Sequence, residues 1–148
     1  MRQQTDIAAQ DFAAQDFVGA KLALFLGDHL AVILRDDIPD IPWPGRLDLP
    51  GGGREGQESP AACALRETHE ELGLVIAPAA LRWGQRFIGD AGPVWFFAAH
   101  LDVARARDIV FGNEGQGWHL MHPAAYLTDP RAIPPFQDRL RLYLGAAL

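Results

Sequence analysis

Glutamate spacing carries the first chemical signal in this sequence. Glu58, Glu67, Glu70 and Glu71 all fall in residues 52–74, GGREGQESPAACALRETHEELGL, which open in the glycine run Gly51-Gly52-Gly53. Residues three and four apart share one face of an α-helix, so Glu67, Glu70 and Glu71 project toward one patch. Like charges at that spacing weaken an isolated helix, and the pattern therefore asks for a compensating cation. Carboxylate oxygens are the preferred ligands of hard divalent ions such as Mg²⁺. A glycine loop lets backbone approach the ion closely. The chemistry this suits is the binding of Mg²⁺ or Mn²⁺ and a diphosphate.

A diphosphate resists hydrolysis because its oxygens repel an incoming nucleophile, and a bound divalent ion offsets that charge and acidifies a coordinated water. Glu67, Glu70 and Glu71 are the expected carboxylate ligands, with the Gly51 carbonyl as a further one. Glu58 lies in the loop-to-helix turn, where it either supports the metal shell through water or pairs with Arg66. Arg66 is expected to orient a carboxylate, since a cation that fixes a ligand's rotamer matters nearly as much as the ligand.

These residues need a scaffold, and the sequence suggests one. Ser59-Pro60 offers an N-cap followed by a first-turn proline, and Gly73 offers a C-terminal stop, so a helix is expected up to Leu72. Ala61, Leu65, Thr68 and Leu72 form its packing face. Residues 20–26 and 30–35 are apolar, rich in strand formers and separated by Gly27-Asp28, which reads as a hairpin. Residues 38–50 hold four prolines and read as an irregular loop. Two further strands are expected at 81–88 and 94–103, and short strands at 109–111 and 118–121. Residues 135–146 carry Phe136, Leu140, Tyr143 and Leu144 at helical spacing. Strands on both sides of a helix, with another helix at the end, predict an α/β architecture with a mixed sheet between helices.

Composition narrows the classes. A chain of 148 residues, 49% hydrophobic and 22% charged, is long enough for one domain with its own core. Its formal net charge of −6 argues against a long nucleic acid as partner, which needs a basic face. Cys63 is the single cysteine, so no intrachain disulfide forms and a reducing cytoplasm is the expected compartment. The polar segment 1–17, with its tandem AAQDF, reads as a loosely docked leader before a single domain at 18–148, and no stretch has the length of a membrane span. The histidines show no zinc-ligand spacing, and Cys63 reads as a small buried helix residue.

The 52–74 stretch resembles the signature of the Nudix hydrolases. That signature is Gly, five residues, Glu, seven residues, Arg-Glu, an aliphatic, any residue, Glu-Glu, any residue, Gly and an aliphatic. Gly52, Glu58, Arg66, Glu67, Glu70, Glu71, Gly73 and Leu74 fill its fixed positions, and Thr68 stands in the aliphatic slot. The resemblance implies an α/β/α sandwich and a divalent-metal-dependent pyrophosphohydrolase acting on a small nucleoside polyphosphate. It also implies that Gly51, the residue before the box glycine, lends its carbonyl to the metal, and that a homodimer is a common assembly.

Outside the box, Glu114-Gly115-Gln116 followed by Trp118 is similar to MutT-type members, in which a loop glutamate reaches the metal site. Glu114 is thereby expected as a ligand or as the general base, which completes a catalytic set of Glu67, Glu70, Arg66 and Glu114. Pro134-Pro135-Phe136-Gln137 places Gln137 where such enzymes read a purine edge with Asn, and Trp43 is a candidate stacking platform. Trp118 reads as packing. This likeness implies a MutT-like substrate, a damaged nucleoside triphosphate cut to monophosphate and pyrophosphate. ADP-ribose or a nucleotide sugar is the alternative substrate. The rival from another class is a non-catalytic nucleotide-binding regulator, but such modules usually lose a box glutamate and this chain keeps them all.

Overall fold

A computed structural model describes residues 16–146. Segment 1–15, with most of the AAQDF repeat, lies outside the described residues; Phe17 is buried, with the Arg54 guanidinium 4.3 Å from its ring centre. Strands β1 (Gly19–Leu26) and β2 (His29–Leu34) form the expected hairpin around Gly27-Asp28. They are followed by β3 (Leu47–Asp48), β4 (Gly51–Gly53) and helix α1 (Pro60–Leu72). The chain continues through β5 (Leu81–Gly89), β6 (Gly92–Leu101), β7 (Gly117–Met121), α2 (Pro123–Thr128) and α3 (Pro134–Ala146).

The seven strands form one mixed sheet ordered β3-β2-β1-β6-β5, with β4 on β1 and β7 on β2. Only β1 and β6 run parallel, in register from Gly19 opposite Val94 to Leu26 opposite Leu101. The hairpin splits early. β1 faces β2 at Phe25 and Leu26 alone, while its first residues, Gly19 to Lys21, pair with β4 instead. β2 swings away to pair with β3 and β7. The split leaves a wedge between β2 and β4, and the charged residues described below gather there.

Alternation along β1 builds two cores. Leu22, Leu24 and Leu26 point to the α1 side and join Ala61, Cys63, Ala64, Leu72, Phe97 and Ala99. Ala23 and Phe25 point to the opposite side with Phe96, Ala98, Tyr126, Leu140 and Tyr143, under α2 and α3. A sheet buried on both faces by helices is the α/β/α sandwich that the sequence predicted. No helix among the described residues is long and apolar enough to cross a membrane.

Several expectations need correction. Residues 109–111 form no strand; the Val110 amide bonds to the Leu72 carbonyl at the end of α1, so the segment is an extended strap along a helix terminus. Val103 opens a 3₁₀ turn (Val103–Asp108) and does not extend β6. The proline-rich loop contains β3, and the glycine run is itself strand β4. Helix α2 was not anticipated; it starts at Pro123 with His122 Nδ1 accepting from the Ala124 amide.

Candidate active site

Helix α1 is fixed at both ends. Ser59 Oγ accepts from the Ala62 amide at 3.2 Å, and Gly73 takes φ 71° while its amide donates to the His69 carbonyl. Ala61, Cys63, Ala64, Thr68 and Leu72 are buried against the sheet, with Leu65 half-buried beside them. Thr68, in the aliphatic slot, is 0% exposed, and its hydroxyl donates to the Ala64 carbonyl at 2.7 Å. That bond satisfies the one polar atom that distinguishes it from an aliphatic residue. The flank of the helix beside that packing face carries Glu67, Glu70 and Glu71, with Glu67 against Gly52 and Glu71 bonded to the Gly51 amide of β4.

Arg66 is the hub of this acidic face. Its guanidinium grips Glu58 with two parallel bonds, Nε to Oε2 at 2.9 Å and Nη2 to Oε1 at 2.8 Å. Nη1 reaches Glu67 at 3.2 Å and Glu70 at 3.0 Å, and Nη2 also donates to the Gly53 carbonyl. Glu55 approaches to 3.4 Å. The bonds from Arg66 hold the Glu58 carboxyl below its ordinary range. One cation faces four carboxylates (+1 against −4), leaving the cluster at −3.

Two carboxylates are uncomfortable as ions. Burial raises the Glu67 carboxyl above its ordinary value despite Arg66. Burial likewise pushes Glu71 up to about 7, against the opposing pull of Lys21 and of the Gly51 amide, which donates to Glu71 Oε1 at 2.9 Å. The glycines make this approach possible. A Cβ on Gly52 would stand 2.7 Å from Glu67 Cδ, and one on Gly51, at φ 132°, would collide with the Ala20 carbonyl oxygen and Lys21 Cα. An oxygen-rich, charge-deficient rim of this kind suits a hard divalent cation. Among the described residues no three His, Cys, Asp or Glu side chains converge as a closed ligand group, and Arg66 holds both Glu67 and Glu70. Burial raises the Cys63 thiol to about 12, which rules against a nucleophile.

A second charged cluster escaped the sequence reading. Lys21, on β1 at the split, donates to Asp48 Oδ1 at 3.0 Å, the Leu49 carbonyl at 3.1 Å and the Gly51 carbonyl at 3.0 Å. Arg35 Nη1 takes the other Asp48 oxygen at 2.8 Å, and Asp48 is only 4% exposed. Two cations share one carboxylate (+2 against −1), so this cluster carries +1. A lysine inside an otherwise apolar strand was the available signal.

Beside the cation cluster lies a cleft of about 320 Å³ whose lining includes the charged Arg35, Asp36, Asp48, Glu71 and Glu114 and the apolar Ile38 and Ile41. An adjoining depression of about 230 Å³ is lined by Glu70, Glu71, Asn113 and Glu114. Glu114 thus comes together with the box glutamates from a distant loop. Trp43 and Gln137 line neither. Trp43 is 39% exposed, at φ 54°, with the Arg46 guanidinium 5.6 Å from its ring centre. Gln137 Nε2 donates to the Tyr126, Leu127 and Asp129 carbonyls at 3.0, 3.3 and 3.0 Å, closing the end of α2. Its amide nitrogen is committed there. Trp118 packs half-buried on the α1-side core.

A protein-family model described as the NUDIX domain matches residues 18–141. A search of curated protein sequences gives no match. Among solved structures, the chain is similar to a MutT protein from Methanosarcina mazei Go1, with TM-score 0.70 and 17% identity over 90% of this chain and 97% of that one. It is similar also to a Caenorhabditis elegans Ap4A hydrolase, with TM-score 0.65 and 18% identity over 88% of this chain and 98% of that one. A third is the bifunctional NMN adenylyltransferase/ADP ribose pyrophosphatase from Francisella tularensis, in complex with AMP and a manganese ion. There the TM-score is 0.66 at 17% identity, covering 88% of this chain but 42% of that one. At these identities the likeness is one of fold.

Proposed function

Because the chain belongs to the Nudix family, hydrolases of pyrophosphate bonds, we propose that it is a divalent-metal-dependent pyrophosphohydrolase of nucleoside triphosphates, releasing a monophosphate and pyrophosphate. The observation that carries this reading is the place of Glu71. It is a half-buried carboxylate at the join between a rim of net negative charge and a wall bearing Arg35. A polyphosphate needs cations on both flanks, and this cleft offers one from the protein and a place for another.

Glu67, Glu70 and Glu71, with Glu114 from the facing loop, would hold Mg²⁺ or Mn²⁺. The ion would supply charge neutralisation for the phosphates and a more acidic water. Arg66 orients Glu58, Glu67 and Glu70 through its fork, so that the carboxylates keep one rotamer when substrate arrives. Arg35, braced by Asp48 and by the Pro42 carbonyl, presents its charge to a phosphate in the cleft. Glu67, Glu70 and Glu114 are the candidates to take the proton from the attacking water. Lys21 donates to the Gly51 carbonyl, the backbone oxygen expected at the metal, so an ion there would share that oxygen with the ammonium. Ile38 and Ile41 give the organic part of the substrate an apolar surface. The Gln137 amide nitrogen is spent on the carbonyls at the end of α2, which removes it as a donor to the nucleobase.

The test is a panel of nucleoside triphosphates, nucleotide sugars and ADP-ribose with Mg²⁺ or Mn²⁺, with products weighed by mass. The expected products are monophosphate and pyrophosphate, with turnover falling about 100-fold or more in Glu70→Gln. Release of inorganic phosphate alone, or turnover unaffected by Glu70→Gln, would contradict the assignment.

A further inference from the structure

Residues 110–117 run as a strap beside the cleft, which Glu114 and Gly115 help to line, and its two ends are stitched to different elements. At the first end the Val110 amide bonds the Leu72 carbonyl at 2.8 Å and the Gly112 amide bonds the Glu71 carbonyl at 2.9 Å, both on the last turn of α1. The strap lies so close there that a Cβ on Gly112 would stand 2.5 Å from the Glu70 carbonyl oxygen. At the second end the Gln116 amide bonds the Leu34 carbonyl at 2.8 Å, and Gln116 Nε2 bonds the Arg35 carbonyl at 2.8 Å. The Gly115 amide donates to Asp36 Oδ2 at 3.1 Å. Gly115 sits at φ +96°, and a Cβ on it would stand 3.0 Å from the Leu34 carbonyl oxygen.

Glu114 stands between these anchors, facing Glu70 and Glu71 across the smaller depression. It has an exposed side chain, so nothing in its own packing holds it; the backbone must. Of the anchors beside it, the two made by side chains come from Gln116 and Asp36. Asp36 lines the larger cleft, whereas Gln116 lines neither depression and spends its amide group on the Arg35 carbonyl at the end of β2. A residue so placed stands outside the cleft lining, yet it sets where its neighbour two positions back can reach.

We propose that Gln116, together with Asp36, is a positioning residue that holds the strap on the end of β2 and so keeps Glu114 in reach of an ion bound at Glu70 and Glu71. The inference rests on the reading of this rim as a metal site. An exposed hydrogen bond contributes modestly, so loss of the Gln116 donor is expected to reduce kcat and Mn²⁺ affinity by about threefold to tenfold. KM for nucleotide should stay within about twofold, because the group stands outside the cleft lining.

The experiment is a double-mutant cycle of Gln116→Met with Glu114→Gln, read twice: by Mn²⁺ binding in paramagnetic resonance without nucleotide, and by steady-state turnover. A residue that acts through Glu114 has nothing left to position once that carboxylate is gone. The expected result is that Gln116→Met weakens Mn²⁺ binding in the parent and adds nothing in the Glu114→Gln background. Equal losses in both backgrounds, or none in either, overturn the inference while the parent's own Mn²⁺ binding and turnover keep the functional reading intact. A parent that neither binds Mn²⁺ nor turns over any nucleotide overturns both. Should Gln116→Met unfold, Asp36→Asn and Asp36→Ala serve in its place. The Asn variant keeps an acceptor for the Gly115 amide and should retain Mn²⁺ affinity, and the Ala variant should lose it; identical behaviour of the two overturns the inference.

Discussion

Two charged clusters flank Gly51, and they are built in opposite senses. On one side Arg66 is shared among Glu55, Glu58, Glu67 and Glu70, on helix α1 and the loop before it, with much of the array open to solvent. On the other, Asp48 is shared between Lys21 and Arg35 and is almost wholly buried. The first has too few cations and the second too few anions. The contrast separates two jobs. A network centred on the buried Asp48 links β1, β2 and β3 across the split, whereas the acidic rim has capacity for an incoming positive charge. Glu71 stands where the two meet: half-buried, held by the Gly51 amide and with no ion pair of its own to Arg66.

Breaking the buried cluster should produce the larger loss of stability. Lys21→Met strips Asp48 of one partner and leaves the Leu49 and Gly51 carbonyls without their donor. The expected cost is about 3 kcal/mol in denaturant unfolding. A loss under about 1 kcal/mol would mean that Arg35 alone satisfies Asp48 and that the contrast between the clusters is overstated.

The mirror-image change on the rim should leave stability nearly alone and strike turnover. Arg66→Lys keeps the charge but loses the two-pronged grip on Glu58 and the bridge to Glu67 and Glu70. Turnover is expected to fall about 10- to 100-fold, with unfolding free energy shifted by no more than about 1 kcal/mol. A variant that unfolds easily yet stays active would reverse the two roles.

A third change sharpens the boundary of the site. Gln137→Ala removes the donor to three carbonyls at the end of α2 and should reduce stability by about 1 kcal/mol. The ranking of nucleotides should not move. A changed base preference would bring Gln137 back into recognition.

The two clusters also differ in how far the sequence revealed them. The acidic rim was readable because helical phase depends only on spacing, and Ser59, Pro60 and Gly73 marked both ends of α1. The cation cluster was not, since Lys21, Arg35 and Asp48 come from three separate segments. They meet through register: Lys21 faces Gly51 across β1 and β4, and Ile33 faces Asp48 across β2 and β3. Spacing along the chain does not encode which strand slides against which. Strand β4 was hidden because glycine has little strand preference, and residues 109–111 misled because an apolar triplet looks alike whether its amides bond a strand or a helix end. Helix α2, with six residues, is too short for periodicity to register. Gln137 was read from its motif, and the geometry gives its amide nitrogen to the neighbouring helix.

The central claim is that the cleft holds a half-buried, desolvated carboxylate in need of a cation, and the pH dependence of metal-free stability bears on it directly. Glu71 has its ordinary value of 4.5 raised to about 7 by burial. The folded state therefore keeps a proton that the unfolded chain releases, so its contribution is fully present below about 4.5 and lost as pH rises through about 7. The difference, 7 less 4.5, corresponds to about 3 kcal/mol. The decisive measurement is unfolding free energy from pH 5 to 8, with and without saturating Mn²⁺, for the parent and for Glu71→Gln. The predicted result is that the metal-free parent loses stability relative to Glu71→Gln as pH rises, and that Mn²⁺ restores it in the parent with a gain that grows with pH. Parallel pH curves for the two proteins, unmoved by Mn²⁺, would contradict the account.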